Sequence, residues 1–268
     1  MIIDTDLLCN LLVDSARAEL IPRFQRSDSR LKEDGSLITQ ADMAMQQRIL
    51  ERLSHHYPQI PLLGEEMPAE RQLGILNGAN QGFWCLDPLD GTANFVAGMP
   101  CFAVSLAYVL HGRIELGLIY DPVRDELFHA QRGSGAWLNH TPLRLDCTLD
   151  LLQDCVAMVD FKRLAPGLAQ QLATAPPYRS QRSIGSVALD WCWLAAGRLQ
   201  LYLHGGARLW DYAAGTLIFH EAGGHFSLSD PETTAESTTA LGLRPQMAVA
   251  AANQELFAAW RSWLQGFS

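Results

Sequence analysis

The sequence lacks several features that would assign its class at once. Its 268 residues contain no apolar run that approaches the roughly 20 residues needed to span a bilayer. No basic segment precedes the first apolar residues, so we expect no export signal and a cytoplasmic protein. Repeats and low-complexity segments are also missing. With 48 % hydrophobic and 18 % charged residues, the composition is that of a globular protein and excludes a disordered chain.

The sequence also lacks cysteine motifs and an excess of positive charge. The six cysteines include no CxxC pair and no zinc-like spacing, which predicts reduced, buried thiols. The formal net charge of −9 argues against nucleic acid as a partner, because nucleic-acid-binding domains are usually basic. No membrane partner is expected either. The only lysines are Lys32 and Lys162, and this rarity favours a site role for Lys32, which stands in a polar loop.

Apolar spacing predicts the main elements. Two amphipathic helices are expected over residues 3–20 and 39–55, the second with a capping pair formed by Thr39 and Asp42. Polar loops are expected at 22–38 and 229–240. Further helices are predicted at 185–197, 211–222 and 255–264, and strands at 60–64, 83–86, 101–110, 113–120, 125–131, 154–160, 199–204, 224–228 and 247–252.

The order of these elements suggests two parts. Residues 1–146 have an α+β pattern, and residues 147–268 alternate helix and strand as in an α/β layer. Acidic residues at the ends of strands are expected to meet where the two parts join.

The strongest motif is DPLDGTANF at residues 87–95. An apolar strand leads into Asp87 and Asp90, and two carboxylates at this spacing around a turn can bind one divalent cation or bridge two. A helix that begins after Gly91 would offer free N–H groups to a phosphate. Taken alone, the motif fits an Asx turn followed by a helix cap equally well. Its spacing differs from the D-x-D-x-T of phosphatases that form an aspartyl phosphate, so no covalent aspartyl intermediate is expected.

Two further acidic motifs accompany it. Glu65 and Glu66 follow a predicted strand, and adjacent residues on a strand point to opposite faces, so only one is expected to share a site with Asp87. Asp211, in WDYAAG, is placed at the start of a helix whose small residues permit close packing. Each motif alone is more simply explained as a solvated charge pair or as an N-terminal cap.

Together, GEE, DPLDGTANF and WDYAAG resemble in order the inositol monophosphatase family. Residues 32–42, Gly185-Ser186 and EAGG at 221–224 extend the resemblance over about residues 5–265. It implies a layered αβαβα sugar-phosphatase fold of mixed α+β and α/β class. It also implies a Mg²⁺-dependent, lithium-sensitive, homodimeric phosphomonoesterase that acts on a small phosphorylated polyol or sugar, with water activated by the metals as nucleophile.

The resemblance assigns roles residue by residue. It implies two or three Mg²⁺ per site, one held by Glu65, Asp87 and the Leu89 carbonyl, and another by Asp87, Asp90 and Asp211. Thr92 and Asp42 correspond to the pair that orients and deprotonates the attacking water, although Asp42 has its capping role as an alternative. Glu66 is expected to support the water shell of a metal. The expected phosphate or substrate contacts are Gly91, Thr92, Lys32, Gly185, Ser186, Val187 and His204.

His204 is where the match departs from inositol-specific members. They have a glutamate seven residues before the aspartate of WD, where this chain has His204. A histidine there could contact hydroxyls or, if protonated, a second phosphate; otherwise it is a partly exposed residue without substrate contact. The alternatives are therefore fructose-1,6-bisphosphatase or NADP phosphatase activity at the same site, or a non-catalytic regulatory or RNA-associated role.

Overall fold

The structure is a computed structural model that describes residues 3–26, 29–32, 37–78, 82–230 and 241–266. Its helices are α1 (Thr5–Glu19), α2 (Gln40–His56), α3 (Ala69–Asn77), α4 (Thr92–Ala97), α5 (Pro166–Thr174), α6 (Val187–Ala195), α7 (Leu209–Glu221) and α8 (Gln254–Gln265). Its strands are β1 (Ser29–Leu31), β2 (Leu37–Thr39), β3 (Leu62–Gly64), β4 (Phe83–Asp90), β5 (Ala103–Leu110), β6 (Arg113–Asp121), β7 (Glu126–Gln131), β8 (Ala136–Leu138), β9 (Thr141–Leu143), β10 (Val156–Asp160), β11 (Ser180–Arg182), β12 (Leu201–Ala207), β13 (His225–Ser229) and β14 (Gln246–Ala251). Among the described helices, none combines the length and apolar character needed to cross a bilayer.

The N-terminal helices form an outer layer. Leu8 and Leu12 of α1 and Met45 and Ile49 of α2 recur at helical spacing and are fully buried in one cluster. The Asp4 side chain caps α1 by accepting the Leu7 N–H at 3.0 Å. Both helices confirm the prediction from apolar spacing.

A seven-stranded sheet, in the order β3-β4-β5-β6-β7-β8-β9, lies beneath this layer. β3 and β4 are parallel, and the other neighbours are antiparallel. Along β4 the side chains alternate between faces. Trp84 and Leu86 pack with α1 and α2, whereas Phe83 and Cys85 pack with α6 and α7. Both faces are covered, so all of β4 is buried.

A five-stranded sheet, in the order β11-β10-β12-β14-β13, forms the other half of the molecule. β10 runs parallel to β11 and β12, and β14 runs antiparallel to β12 and β13. Tyr202 faces α6 and α7, whereas Leu201 and Leu203 face α8. The layers are therefore α1/α2, sheet, α6/α7, sheet and α5/α8, which confirms the αβαβα architecture.

Small residues let α7 approach its neighbours closely. A Cβ on Gly117 of β6 would lie 2.7 Å from the carbonyl oxygen of Ala214, and one on Gly215 would lie 2.5 Å from Cβ of Trp191. The small residues that follow Asp211 thus hold α7 between the sheets, as the sequence suggested. This packing fixes the start of α7, which carries Asp211.

Several elements escaped prediction because they are too short to show a period. They are β1 and β2, which pair within the expected loop at 22–38, together with α3, α5, β8, β9 and β11. β4 was predicted to end at residue 86 but continues to Asp90. The boundary near residue 146 falls between the two sheets, and the division into two parts stays a prediction. Residues 33–36 and 231–240, which were expected to be loops, lie outside the described residues.

Candidate functional site

Three aspartates meet between the two sheets. Asp87 and Asp90 lie on β4, Asp211 lies in the first turn of α7, and one carboxylate oxygen from each falls within 4.8 Å of the others. In a regular strand, residues three apart would face opposite sides. The pairing of β4 with β5 shifts register between Asp87 and Asp90, and this irregularity brings both carboxylates to one place.

Backbone N–H groups hold each carboxylate in position. The Leu89 N–H donates to Asp87 at 3.0 Å, and the Arg208 N–H donates to Asp211 at 2.7 Å. Asp90 accepts from the Ala188 N–H at 2.8 Å at the start of α6. The geometry of the cluster therefore depends on where α6 and α7 begin.

The cluster has too much negative charge for its environment. Burial, together with repulsion from Glu65 and the neighbouring aspartates, raises the pKa of Asp87 well above its usual range. Burial and the charge of Asp90 do the same for Asp211. Burial raises the pKa of Asp90 to about 6, although hydrogen bonds from Ser186 and Ala188 oppose the rise. Such a group of hard oxygen donors fits a divalent cation of the Mg²⁺ type.

Glu65 and Glu66 lie side by side rather than on opposite faces. β3 ends at Gly64, so both glutamates occupy the turn that follows it, and both carboxylates accept from Lys32 Nζ, at 2.8 and 2.6 Å. The opposite-face expectation was wrong because neither glutamate lies on the strand, which ends at Gly64. Burial and the charge of Glu65 raise the pKa of Glu66 to about 7, against the opposing effect of Lys32.

Asp42 has both of the contacts proposed for it. It accepts from the Thr39 N–H at 2.7 Å, which confirms the capping box of α2. Its other oxygen lies 3.2 Å from Thr92 Oγ1, which is also 2.9 Å from the Leu89 carbonyl. Burial raises the pKa of Asp42, and hydrogen bonds from Thr39 oppose the rise. A threonine hydroxyl and a buried carboxylate therefore stand together at the edge of the cluster.

Gly91 makes the turn that places Thr92. Its φ of 87° lies in the left-handed region, and a Cβ would lie 2.8 Å from the Cys101 carbonyl oxygen, so a side chain is excluded there. Asn94, to which the sequence assigned no role, donates to the carbonyls of Cys101 and Ile184 at 2.7 and 2.6 Å. It ties α4 to the segment that enters α6. Asn94 could have been identified from the sequence by its position in the DGTANF motif.

The segment before α6 contacts Asp90. Ser186 Oγ donates to the Asp90 carboxylate, and the Val187 N–H lies 3.3 Å from it. Gly185 has a φ of 75°, and a Cβ there would lie 3.3 Å from the Asn94 amide. Ser186 and Val187 thus contact the cluster at Asp90, with Gly185 just before them, and the expected contact of all three with substrate stays a prediction.

His204 is buried, with only 3 % of its side chain exposed. Its Nε2 lies 3.1 Å from Asp160 Oδ2, and its Nδ1 accepts the Gly206 N–H at 3.2 Å. The alternative of a partly exposed residue was therefore wrong. Arg163 Nε lies 3.6 Å from the same carboxylate oxygen of Asp160, and neither residue could be recognised from the sequence.

Comparisons with known proteins agree with this geometry. A family model described as "Inositol monophosphatase family" matches residues 9–262. The chain is 38 % identical over 228 residues to Nus factor SuhB of Pasteurella multocida, covering 81 % of this chain and 83 % of the relative. It is 36 % identical over 195 residues to inositol monophosphatase 1 of Solanum lycopersicum, covering 70 % of each.

Solved structures show the same fold. The extragenic suppressor protein suhB from Bartonella henselae superposes with a TM-score of 0.79 at 29 % identity, covering 96 % of each chain. The Thermotoga maritima IMPase superposes with a TM-score of 0.78 at 25 % identity, covering 98 % of each chain.

Proposed function

Because the chain belongs to the inositol monophosphatase family, we propose that it is a Mg²⁺-dependent phosphomonoesterase of small phosphorylated polyols or sugars. The observation that carries the proposal is the meeting of Asp87, Asp90 and Asp211 within 4.8 Å. Burial and mutual repulsion raise their pKa values, which supports a cation as the partner of these carboxylates. A structural ion pair would leave no such unbalanced charge.

The donor set fits cations that prefer oxygen. Glu65, Asp87 and the Leu89 carbonyl would hold one cation, and Asp87, Asp90 and Asp211 a second. Bound Mg²⁺ would neutralise the phosphoryl oxygens and lower the pKa of water. Lys32, whose ammonium already pairs with Glu65 and Glu66, would balance the remaining charge on that side. These assignments follow the family pattern. The burial and proximity of Asp87, Asp90 and Asp211 support them, whereas Glu65 lies outside this group and pairs with Lys32.

Thr92 and Asp42 would act on the attacking water. The Thr92 hydroxyl accepts a proton from water while donating its own to Asp42, whose raised pKa suits it to take one up. The backbone N–H groups of Gly91 and Thr92 would orient the phosphate, as they do in the family pattern. The water oxygen bonds to phosphorus, the bond to the alkoxide breaks, and the alkoxide takes a proton from solvent.

A second candidate comes from the names of relatives. Several are called Nus factor SuhB, which supports a non-catalytic Nus-factor role as an alternative. Fructose-1,6-bisphosphatase or NADP phosphatase activity remains an alternative at the same site. Homodimer formation and inhibition by millimolar Li⁺ are further proposals that rest on the family alone.

A phosphate-release assay on the purified protein tests the proposal. Inositol 1-phosphate, fructose 1,6-bisphosphate, NADP and p-nitrophenyl phosphate are compared with Mg²⁺ and with EDTA. We expect Mg²⁺-dependent release from at least the polyol monophosphate, and no activity in EDTA. A protein that retains the fold and binds Mg²⁺ but hydrolyses none of the four would favour the Nus-factor role instead.

A further inference from the structure

β10 ends at Asp160, and its direct partner on the parallel strand β12 is His204, three residues before that strand ends at Ala207. β12 leads within two residues into α7, whose first turn carries Asp211. The carboxyl ends of parallel strands are where ligand sites form in such sheets. Asp160 and His204 therefore stand at the same edge as the proposed catalytic centre.

His204 has no hydrogen-bonding atom left for a substrate. The Gly206 N–H donates to Nδ1, so the proton of the neutral ring is on Nε2, which donates to Asp160. The ring is almost fully buried. Its role is to fix the Asp160 carboxylate, which has 25 % of its side chain exposed.

Arg163 is held over the same strand end. A Cβ on Gly205 would lie 1.9 Å from the Arg163 carbonyl oxygen, so the turn Phe161–Arg163 crosses directly over a strand position that only glycine permits. Half of the Arg163 side chain is exposed.

We propose that Asp160 and Arg163, with His204 positioning Asp160, recognise the hydroxyl groups of a polyol monophosphate. The inference rests on the proposed phosphatase function and names its specificity residues. A carboxylate accepts hydrogen bonds from neighbouring hydroxyls, and a guanidinium donates to their oxygens. The pair is neutral overall, so it favours an uncharged polyol. The pair offers no net positive charge to bind a second phosphate, which disfavours bisphosphates.

The test compares kcat/KM for inositol 1-phosphate with that for p-nitrophenyl phosphate, which has no hydroxyl groups. Asp160→Ala should lower the first about tenfold, mainly through KM, as expected for one lost hydrogen bond. The second should stay within about twofold. Asp160→Asn should raise the relative use of fructose 1,6-bisphosphate. Asp154→Ala is the matched control, because Asp154 pairs with Arg179 at the opposite end of β10.

His204 is tested as a positioning residue. His204→Ala should lower the ratio of the two kcat/KM values, and His204→Gln, which keeps a donor near the Nε2 position, should restore part of it. Equal losses on both substrates, or an unchanged ratio in Asp160→Ala, would overturn the inference while the phosphatase function stands. A wild-type protein that is inactive on both substrates with Mg²⁺ overturns both proposals.

Discussion

The motif region on β4 and α4 and the strand ends of β10 and β12 are built in different ways. In the motif region, Asp87, Leu89 and Thr92 bond to one another across two or three positions of the chain. At the strand ends, Asp160 and His204 are joined only by strand register and are far apart in the sequence. The first region can be recognised by reading along the chain, and the second cannot.

This difference suggests separate roles for the motif region and the strand ends. In the proposed function, the contiguous motif holds acids that cations would neutralise, which suits it to the chemistry of the phosphate. The strand ends present a neutral pair, Asp160 and Arg163, which we propose contacts the rest of the substrate. Changes in the first region should therefore affect all substrates, and changes in the second should alter the preference among them.

The largest effect is expected from Asp87→Asn. Asp87 is the acid shared by both proposed cation positions, so kcat should fall at least ~10³-fold on every phosphoester, the scale of losing a major transition-state stabiliser. The metal-free variant should melt no lower than the wild type, because a repelling carboxylate has been removed from the cluster. Steady-state kinetics and thermal melting check both points. If Asp87→Asn kept substantial activity on one substrate only, the two regions would not have the separate roles described above.

Thr92→Ala and Asp42→Asn should have the next largest effect. Both residues would act on water rather than on bound substrate, so kcat should fall by about 10²-fold or more while KM changes little. Because Asp42 also caps α2, its variant should melt lower, whereas Thr92→Ala should not. If Asp42→Asn lowers only the melting temperature, the residue is a cap without a catalytic role.

Two kinds of sequence pattern, apolar periodicity and ordered acidic motifs, explain which parts of the molecule could be predicted. Long elements with a clear period, such as α1, α2 and the β5–β7 meander, were located within a few residues. The acids of the site were found because several motifs occur in a fixed order. The shared contact of Glu65 and Glu66 with Lys32 was missed because it depends on where β3 ends.

The strand ends could not be predicted for a physical reason. Asp160 occurs in an ordinary run, VDFKR, and its partner is set by the pairing of β10 with β12. His204 attracted attention only as a departure from the family pattern, and its burial depends on the turn that Gly205 admits. Such contacts arise from tertiary packing, which single-sequence patterns do not report.

His204→Glu tests the role of the strand ends, and we expect it to change the substrate preference about tenfold. Inositol-specific members of the family have a glutamate at this position, and that resemblance alone would predict better inositol recognition for the variant. In the structure it would bury a second carboxylate beside Asp160 and remove the donor that holds it. We therefore expect the preference for inositol 1-phosphate over p-nitrophenyl phosphate to fall, with a lower melting temperature. A clear gain in that preference would instead place residue 204 in contact with substrate.

The smallest expected effect is on the stability of the metal-free protein between pH 5.5 and 7.5. Acids whose pKa is raised by folding bind protons more tightly in the native state, so stability falls as pH rises from the unfolded pKa toward the folded one. Asp90, at about 6, and Glu66, at about 7, lie in this window. The melting temperature at pH 5.5 should exceed that at pH 7.5 by at least about 2 °C.

His129 acts in the opposite direction, because burial lowers its pKa and stability is lost as pH falls from its usual pKa toward the lowered one. The measurement is therefore the change in melting temperature between the two pH values, compared between the wild type and Asp87→Asn. His129 contributes equally in both proteins, whereas repulsion within the acidic cluster is reduced in the variant. Mg²⁺ should remove most of the wild-type trend and raise the melting temperature more at pH 7.5 than at pH 5.5, since the ligands must be ionised to bind it. Identical trends of melting temperature with pH in the two proteins would mean that the acidic cluster does not cause the trend. The contrast between a charged motif region and neutral strand ends would then not extend to stability.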